Sequence, residues 1–232
     1  HQLMQEAAYN SLLLGERRQL HRQVAQGLVA LTETRAASGK VTGTLGEVPE
    51  ALAGTLAHHW DAAGEPARAV PYYLSAGRQA QRAYAHDTAR AAFRQALRSI
   101  EAIPPDQVTD EHLIAWRFEA LKGLGQVAFA VGRVDDAEPA LRQAIALGRE
   151  MDLPLSDLVR LYHWLGEVLF WQERYDERVE LGKEGLSLLD PKGETVEVAL
   201  MNQMVAIGHL TQGVRGDFLD YTFRTAAFIE KL

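Results

Sequence analysis

The chain has 232 residues, of which 47% are hydrophobic and 24% charged, a composition typical of a folded globular protein. Its formal net charge of −7 argues against direct contact with DNA or RNA, because nucleic-acid-binding domains usually carry a basic face. The absence of cysteine excludes disulfides, thiolate nucleophiles and cysteine-ligated metals. No apolar run approaches the roughly 20 residues of a membrane span and no signal peptide is visible, so we expect a cytoplasmic protein without membrane contact.

Helical periodicity predicts two N-terminal helices, at 2–14 and 16–35. The second helix has leucine or valine at spacings of three and four, which predicts one apolar stripe facing a core. The stripe consists of Leu20, Val24, Leu28 and Leu31. The segment 36–49 is rich in Gly, Ser and Thr and lacks periodicity, which predicts a flexible loop.

Helices resume at Glu50, and short breaks at 64–66, 104–106, 152–156 and 190–194 divide the remainder of the chain. At the first break Pro66 falls early in a helix, where its missing N–H costs little. No run alternates apolar and polar residues in the manner of a strand. The pattern predicts an all-α fold.

Three segments repeat at a separation of 41 residues. Leu124-Gly125 aligns with Leu165-Gly166 and then with Ala206-Ile207. The same separation superposes three further sets, which are Arg133, Arg174 and Arg215; Asp135, Asp176 and Asp217; and Leu147, Leu188 and Ile229. Each aspartate is predicted to cap the second helix of a hairpin, and Asp135 and Glu138 have capping-box spacing. Such hairpins bury their apolar faces by stacking.

These units resemble the tetratricopeptide repeat. Residues 70–103 carry its pattern in Tyr73, Ala76-Gly77, Ala80, Ala89, Phe93 and Ala96, and residues 118–151 carry it in Leu121, Leu124-Gly125, Ala128, Ala137, Leu141 and Ala144. In 159–192 Leu165-Gly166 fits, but Arg178, Gly182 and Gly185 replace the expected second-helix residues. The resemblance implies an α-α superhelix over 50–232, a right-handed solenoid of antiparallel helix pairs.

A second resemblance covers the N-terminal part of the chain. Gln5-Glu6-Ala7-Ala8-Tyr9, Leu12-Leu13, Arg17-Arg18 and His58-His59-Trp60 are similar to the segment that follows the nucleotide-binding module of large bacterial signalling ATPases. The resemblance implies that 1–35 links an upstream ATPase module to the repeats and that the parent protein regulates transcription or signalling. Because the sequence begins at His1 without methionine, we expect a fragment of a longer protein.

The sequence carries no recognisable catalytic signature. Gly39-Lys40 is not a P-loop, because Thr34 and Val41 occupy the positions of its first Gly and of its Ser or Thr. His163 and Glu167 lie one turn apart, but two ligands seldom make a metal site. We therefore predict no enzyme, no cofactor and no metal in these residues.

The candidate contact residues come from the tetratricopeptide resemblance, which implies that certain first-helix positions face a concave groove. They are Lys122, Gln126 and Phe129; Arg160, His163, Glu167, Phe170 and Trp171; and Met201, Met204 and Thr211. The middle set combines charge, histidine and two aromatic residues, which is typical of a peptide- or ligand-contact patch, although aromatic residues at helical spacing are more often core.

Three functions remain open at this stage. The first is a protein-interaction module that holds a protein or peptide partner in the groove. The second is a sensor that binds a small-molecule inducer, and the third is a self-association domain. None of them involves direct nucleic-acid contact by this segment.

Overall fold

The computed structural model describes residues 9, 11–37, 50–190 and 195–229, and these residues are helical apart from short turns. The helices are α1 (Leu14–Ala37), α2 (Glu50–Ala62), α3 (Pro66–Arg82), α4 (His86–Glu101), α5 (Asp110–Ala130), α6 (Val134–Glu150), α7 (Leu155–Trp171), α8 (Tyr175–Ser187), α9 (Val196–Thr211) and α10 (Arg215–Ile229). No strand occurs in the described ranges, which confirms the predicted all-α class. Most of the predicted helix at 2–14 and the segment 38–49 of the predicted loop lie outside the described residues.

The chain divides into two compact units, His1–Gly123 and Leu124–Leu232. In the first unit α1 packs on α2, α2 on α3, and α3 on α4. In the second unit α6 packs on α7, α7 on α8, α8 on α9, and α9 on α10, and α7 also contacts α9. These pairs of helices are neighbours in sequence, as the predicted hairpins require.

The turns inside the hairpins share a residue with positive φ. In the second unit these residues are Gly132 at 74°, Glu173 at 59° and Gly213 at 77°. The next residue closes each turn with its N–H, as Arg174 does to the Leu169 carbonyl at 2.9 Å. From Gly132 to Glu173 is 41 residues, but from Glu173 to Gly213 is only 40. The predicted 41-residue register is thus one residue too long in the last unit, and Val214 takes the place of Arg133 and Arg174.

The predicted aspartate caps are wrong. The residues at the N-cap positions of α6 and α8 are Arg133 and Arg174, and neither makes a side-chain cap hydrogen bond. Asp135 lies within the first turn of α6, where its Oδ1 accepts from Gln172 Nε2 at 3.2 Å. Asp176 of α8 likewise accepts from the amide of Gln212. These carboxylates therefore join consecutive hairpins of the stack.

The predicted apolar stripe of α1 does not face a core. Leu20, Val24 and Leu31 are exposed, whereas His21 and Ala25 are the buried ones among the described side chains of α1. His21 Nδ1 lies 2.8 Å from His59 Nδ1 of α2, and His21 Nε2 lies 2.8 Å from the Tyr9 hydroxyl. Helix α1 thus packs on α2 through its histidine face. None of the helices described is both long and apolar enough to cross a membrane.

Candidate interaction surface

Helix α7 carries the central part of the predicted contact patch. Arg160 and Trp171 are exposed, and His163, Glu167 and Phe170 are half-buried. Since these residues recur every three or four positions, they share one face of the helix. That face reaches solvent from Arg160 to the end of α7.

Three other candidate residues lie on α5 and are half-buried. The Phe129 ring packs edge-on against Trp164 of α7, with 5.5 Å between the ring centroids. Gln126 lies on the same stretch of α5, within the second unit. Lys122 belongs to the first unit, where its Nζ lies 5.2 Å from the centroid of the Phe118 ring. The structure therefore joins Phe129 to the aromatic residues of α7.

A buried arginine lies beneath the α7 face. Arg178 of α8 is 1% exposed, and its guanidinium donates Nη1 to the Gly166 carbonyl at 2.6 Å and Nε to the Met204 carbonyl at 3.2 Å. Its Nη2 donates to Glu167 Oε1 at 2.9 Å, and its Cζ lies 5.2 Å from the centroid of the Phe170 ring. One side chain therefore holds α7, α9 and the contact face together.

Arg178 was not among the predicted contact residues. The sequence signal was present, since an arginine stands where the tetratricopeptide pattern expects a small residue. Buried arginines are rare unless they are paired, which makes such a departure a sign of a specific partner.

His163 stands beside the ion pair of Glu167 and Arg178. Burial lowers the pKa of His163, and Arg178 lowers it further, while Glu167 opposes both. Its Nδ1 is buried and has no hydrogen-bond partner among the described residues. A lowered pKa favours the neutral imidazole at pH 7, so His163 adds no positive charge to the α7 face.

Aromatic residues gather at the C-terminal end of α7. The Phe170 ring lies 5.9 Å from the rings of both Trp171 and Tyr175, centroid to centroid. The Trp171 side chain is 65% exposed, whereas Trp60 and Tyr162 are buried. The sequence predicts that most aromatic residues are core, but in the described part of the chain only a minority of them are buried and many are half-buried. Trp171 is one of the exposed ones.

The methionines of α9 are not part of an accessible groove. Met201 and Met204 are buried, so the prediction that they contact a partner is wrong for this structure. The reason is the set of glycines opposite them. A β-carbon on Gly185 would lie 2.5 Å from Met201 Sδ, and one on Gly166 would collide with Met204 Sδ. The methionines fill space that these glycines leave.

Thr211 is exposed, but its hydroxyl donates within α9 to the Gly208 carbonyl at 2.7 Å.

Two small open cavities lie between α6 and α8, with volumes of about 180 and 350 Å³. Ion pairs of Arg142 with Glu177 at 3.3 Å and of Arg149 with Glu184 cross this region. Drug-sized ligands usually occupy pockets of about 300–1,000 Å³.

No cluster of three or more histidine, aspartate or glutamate side chains in the described part of the chain is arranged to hold a metal ion.

The fold and the hairpin stack place the chain in the class of tetratricopeptide-like helical repeats, and comparison with known proteins supports this. No protein-family model matches the sequence. No curated protein matches it either.

Solved structures do match. A double mutant of MamA RS-1 superposes with a TM-score of 0.58 at 15% identity over 94% of this chain and 98% of the other. A Podosopora anserina protein with nearly identical TPR-like repeats gives 0.60 at 15% identity over 94% and 95%. BtubC (BKLC) from P. vanneervenii gives 0.62 at 13% identity over 94% and 89%. The likeness at these identities shows the fold alone and confirms the predicted repeat architecture.

Proposed function

We propose that this chain is a protein-binding repeat module and that the exposed face of α7 forms its principal contact patch. The observation that carries the proposal is Trp171, a large aromatic side chain that is 65% exposed beside the aromatic rings of Phe170 and Tyr175. A tryptophan left in water loses the free energy that burial would give it. Tryptophan is also among the residues most often found at the energetic centre of protein interfaces.

The setting of Trp171 supports this function because its surroundings are held in place. Phe170 packs on the Arg178 guanidinium, which is itself fixed by two helix carbonyls and by Glu167. A contact face whose side chains are ordered before binding loses less conformational entropy when the partner arrives. The patch therefore combines an exposed anchor with a rigid support.

The finer proposal concerns the parent protein. The similarity of 1–28 and 58–77 to bacterial signalling ATPases suggests that the module couples a partner to a regulatory ATPase encoded upstream. In that role α1 connects the ATPase to the repeats. The sequence that precedes His1 in the parent protein tests this directly, since a P-loop there is expected and its absence would contradict the regulatory proposal.

The binding proposal is tested by selecting ligands from a phage-displayed library of random 12-residue peptides on the full 232-residue chain. We expect enriched peptides whose binding to the Trp171→Ala variant is at least tenfold weaker, because truncation of an interface tryptophan commonly costs 2 kcal/mol or more, roughly 30-fold. Circular dichroism should show unchanged helicity.

Phe223→Ala is the matched control. Phe223 lies on α10 and is similarly exposed, at 68%, but it is outside the patch. We expect this variant to bind the selected peptides as the unchanged chain does. If no peptide is enriched, or if both variants bind equally well, the α7 face is not a peptide-binding surface.

A further inference from the structure

The turns inside the three hairpins of the second unit expose a row of apolar side chains. Val131, Trp171, Leu210 and Val214 lie at or beside these turns and are 43%, 65%, 53% and 41% exposed. We call these four residues the turn ridge. Clusters of exposed apolar residues on one edge of a protein commonly mark an interaction site.

The turn ridge is continuous because the hairpins are tied together beside it. Gln172 follows Trp171 and donates to Asp135 of the preceding hairpin at 3.2 Å. Gln212 follows the end of α9 and donates to Asp176 of the hairpin before it. These bonds fix the turns side by side at the spacing of packed helices, which is roughly 10 Å. The apolar residues of consecutive turns are therefore neighbours along one edge.

Carboxylates flank the turn ridge in excess of cations. Asp135, Glu173 and Asp176 are exposed, and the structure gives none of them an ion pair within the described ranges. We call these three residues the acidic rim. The nearby Arg133 is paired with Asp136 at 2.6 Å, and Arg174 is paired with Glu138 and Glu177, each at 2.6 Å. Arg215, which follows Val214 at the start of α10, adds one cation to three carboxylates, so this edge has an excess of negative charge.

Glu173 is a conspicuous member of the acidic rim. It adopts a φ of 59°, a left-handed conformation that favours glycine, and the corresponding residues of the neighbouring turns are Gly132 and Gly213. A side chain in this conformation costs roughly 1 kcal/mol. The chain thus keeps a carboxylate next to Trp171 at a position where a glycine would be less strained.

Resting on the proposed protein-binding function, we propose that the turn ridge docks a basic amphipathic peptide segment of a partner protein. Apolar side chains of that segment cover Trp171 and Leu210, and its lysines or arginines face the acidic rim. Opposite charge across the edge of an interface selects the partner and speeds its association, while the apolar contact supplies most of the affinity. The binding edge is then the row of turns, next to the α7 face and continuous with it through Trp171.

The test uses the peptides selected on the unchanged 232-residue chain, sorted by net charge. We expect the enriched peptides to combine lysine or arginine with aromatic or aliphatic residues, and their affinity to fall several-fold between 50 and 300 mM salt. In the variant Asp135→Asn, Glu173→Gln and Asp176→Asn, the amides retain hydrogen-bond acceptors but lose the charge. We expect it to bind these peptides about three- to tenfold more weakly.

A matched variant neutralises carboxylates at the opposite ends of the helices, around the α6–α7 turn. Glu150→Gln, Asp152→Asn and Asp157→Asn change the net charge equally, and all three residues are exposed. We expect this variant to bind within twofold of the unchanged chain.

The outcomes separate the two proposals. Peptides that are neutral or acidic, or that bind the rim variant and the matched variant equally, would overturn the docking of a basic segment. If such peptides still require Trp171, the protein-binding function stands without it. If no peptide is enriched, the protein-binding function itself fails.

Discussion

The side chain of Arg178 offers the most direct test of how the second unit is held together. Replacement by alanine removes a buried side chain and its three hydrogen bonds, to the Gly166 and Met204 carbonyls and to Glu167. Truncating a buried long side chain costs about 2–5 kcal/mol, and each hydrogen bond to a charged group adds about 1.5–3 kcal/mol at most.

The loss should lie well below the sum of these figures. Both carbonyls sit inside helices and keep their backbone N–H donors, and the Glu167 side chain is 30% exposed, so it can be solvated when its partner is gone. We therefore expect a decrease of about 4 kcal/mol in the free energy of unfolding of the second unit. For a unit of this size such a decrease lowers the midpoint of thermal unfolding by roughly 15 °C.

The assay is urea and thermal unfolding followed by circular dichroism at 222 nm. Arg224→Ala is the control, because it removes an exposed ion pair to Asp220 at 2.6 Å and should cost at most about 0.5 kcal/mol. Arg178→Lys keeps the charge but cannot reach three acceptors with a planar fork, so it should fall between the two. A loss below about 1 kcal/mol in Arg178→Ala would refute the structural role of the buried guanidinium.

Two further predictions concern backbone conformation and pH. Gly132 has a φ of 74° and Gly54 lies inside α2, and a β-carbon would meet nothing within 4 Å at either position. Gly132→Ala should therefore destabilise the fold by about 1 kcal/mol and Gly54→Ala should stabilise it by about 0.5–1 kcal/mol, and unfolding shifts of the same sign would contradict this reasoning. Burial lowers the pKa of both His21 and His59 from 6.5, and the neighbouring histidines lower them further. Near and below pH 6.5 the unfolded state therefore binds more protons than the folded state. The packing of α1 on α2 is most stable above about pH 6.5 and becomes less stable as the pH falls. Hydrogen exchange of α1 amides, corrected for intrinsic rates, should speed up at pH 5 relative to pH 7.5, and His21→Gln should reduce this dependence. Equal protection of the α1 amides at pH 5 and pH 7.5 would count against this pH dependence.

The repeat fold was predictable because the close contacts between helices require small residues at fixed positions. A β-carbon on Gly125 would lie 2.6 Å from Leu141 Cγ, so the Leu-Gly element of the pattern records a helix contact directly. Alanine and leucine at the other pattern positions set helix separation in the same way. The pattern encodes distances between helices, and distances between helices define the fold.

The face of α1 was not predictable on these grounds. Hydrophobic periodicity assigns its buried side to leucine and valine, but α1 contacts α2 through His21 and Ala25. Two neutral histidines can share a hydrogen bond, and here their rings lie 5.0 Å apart, tilted by 40°. This pairing depends on His59 in a different helix. Periodicity within one helix contains no information about such a partner.

The predicted contact residues likewise include some whose exposure could be predicted from the sequence and some whose burial could not. The positions on α7 follow from helical spacing, and all five face solvent to some extent. Met201 and Met204 occupy comparable positions on α9 but are buried, because the helices that face them present glycine where a side chain would otherwise separate the backbones. Exposure at a repeat position therefore depends on the neighbouring repeat as well as on the residue itself.

Residues 159–192 match the repeat pattern weakly because glycines on one helix are compensated by larger side chains on the next. On α8, Gly182 stands where the pattern has a large apolar residue and Gly185 where it has alanine, and Met201 and Met204 of α9 fill the space. Arg178 occupies a position where a small residue is expected, and it reaches past α8 to carbonyls on α7 and α9. The departures from the pattern thus compensate one another across three helices. They also place a fixed positive charge under Phe170, next to the exposed Trp171. The irregular unit therefore keeps its packing although its residues depart from the repeat pattern.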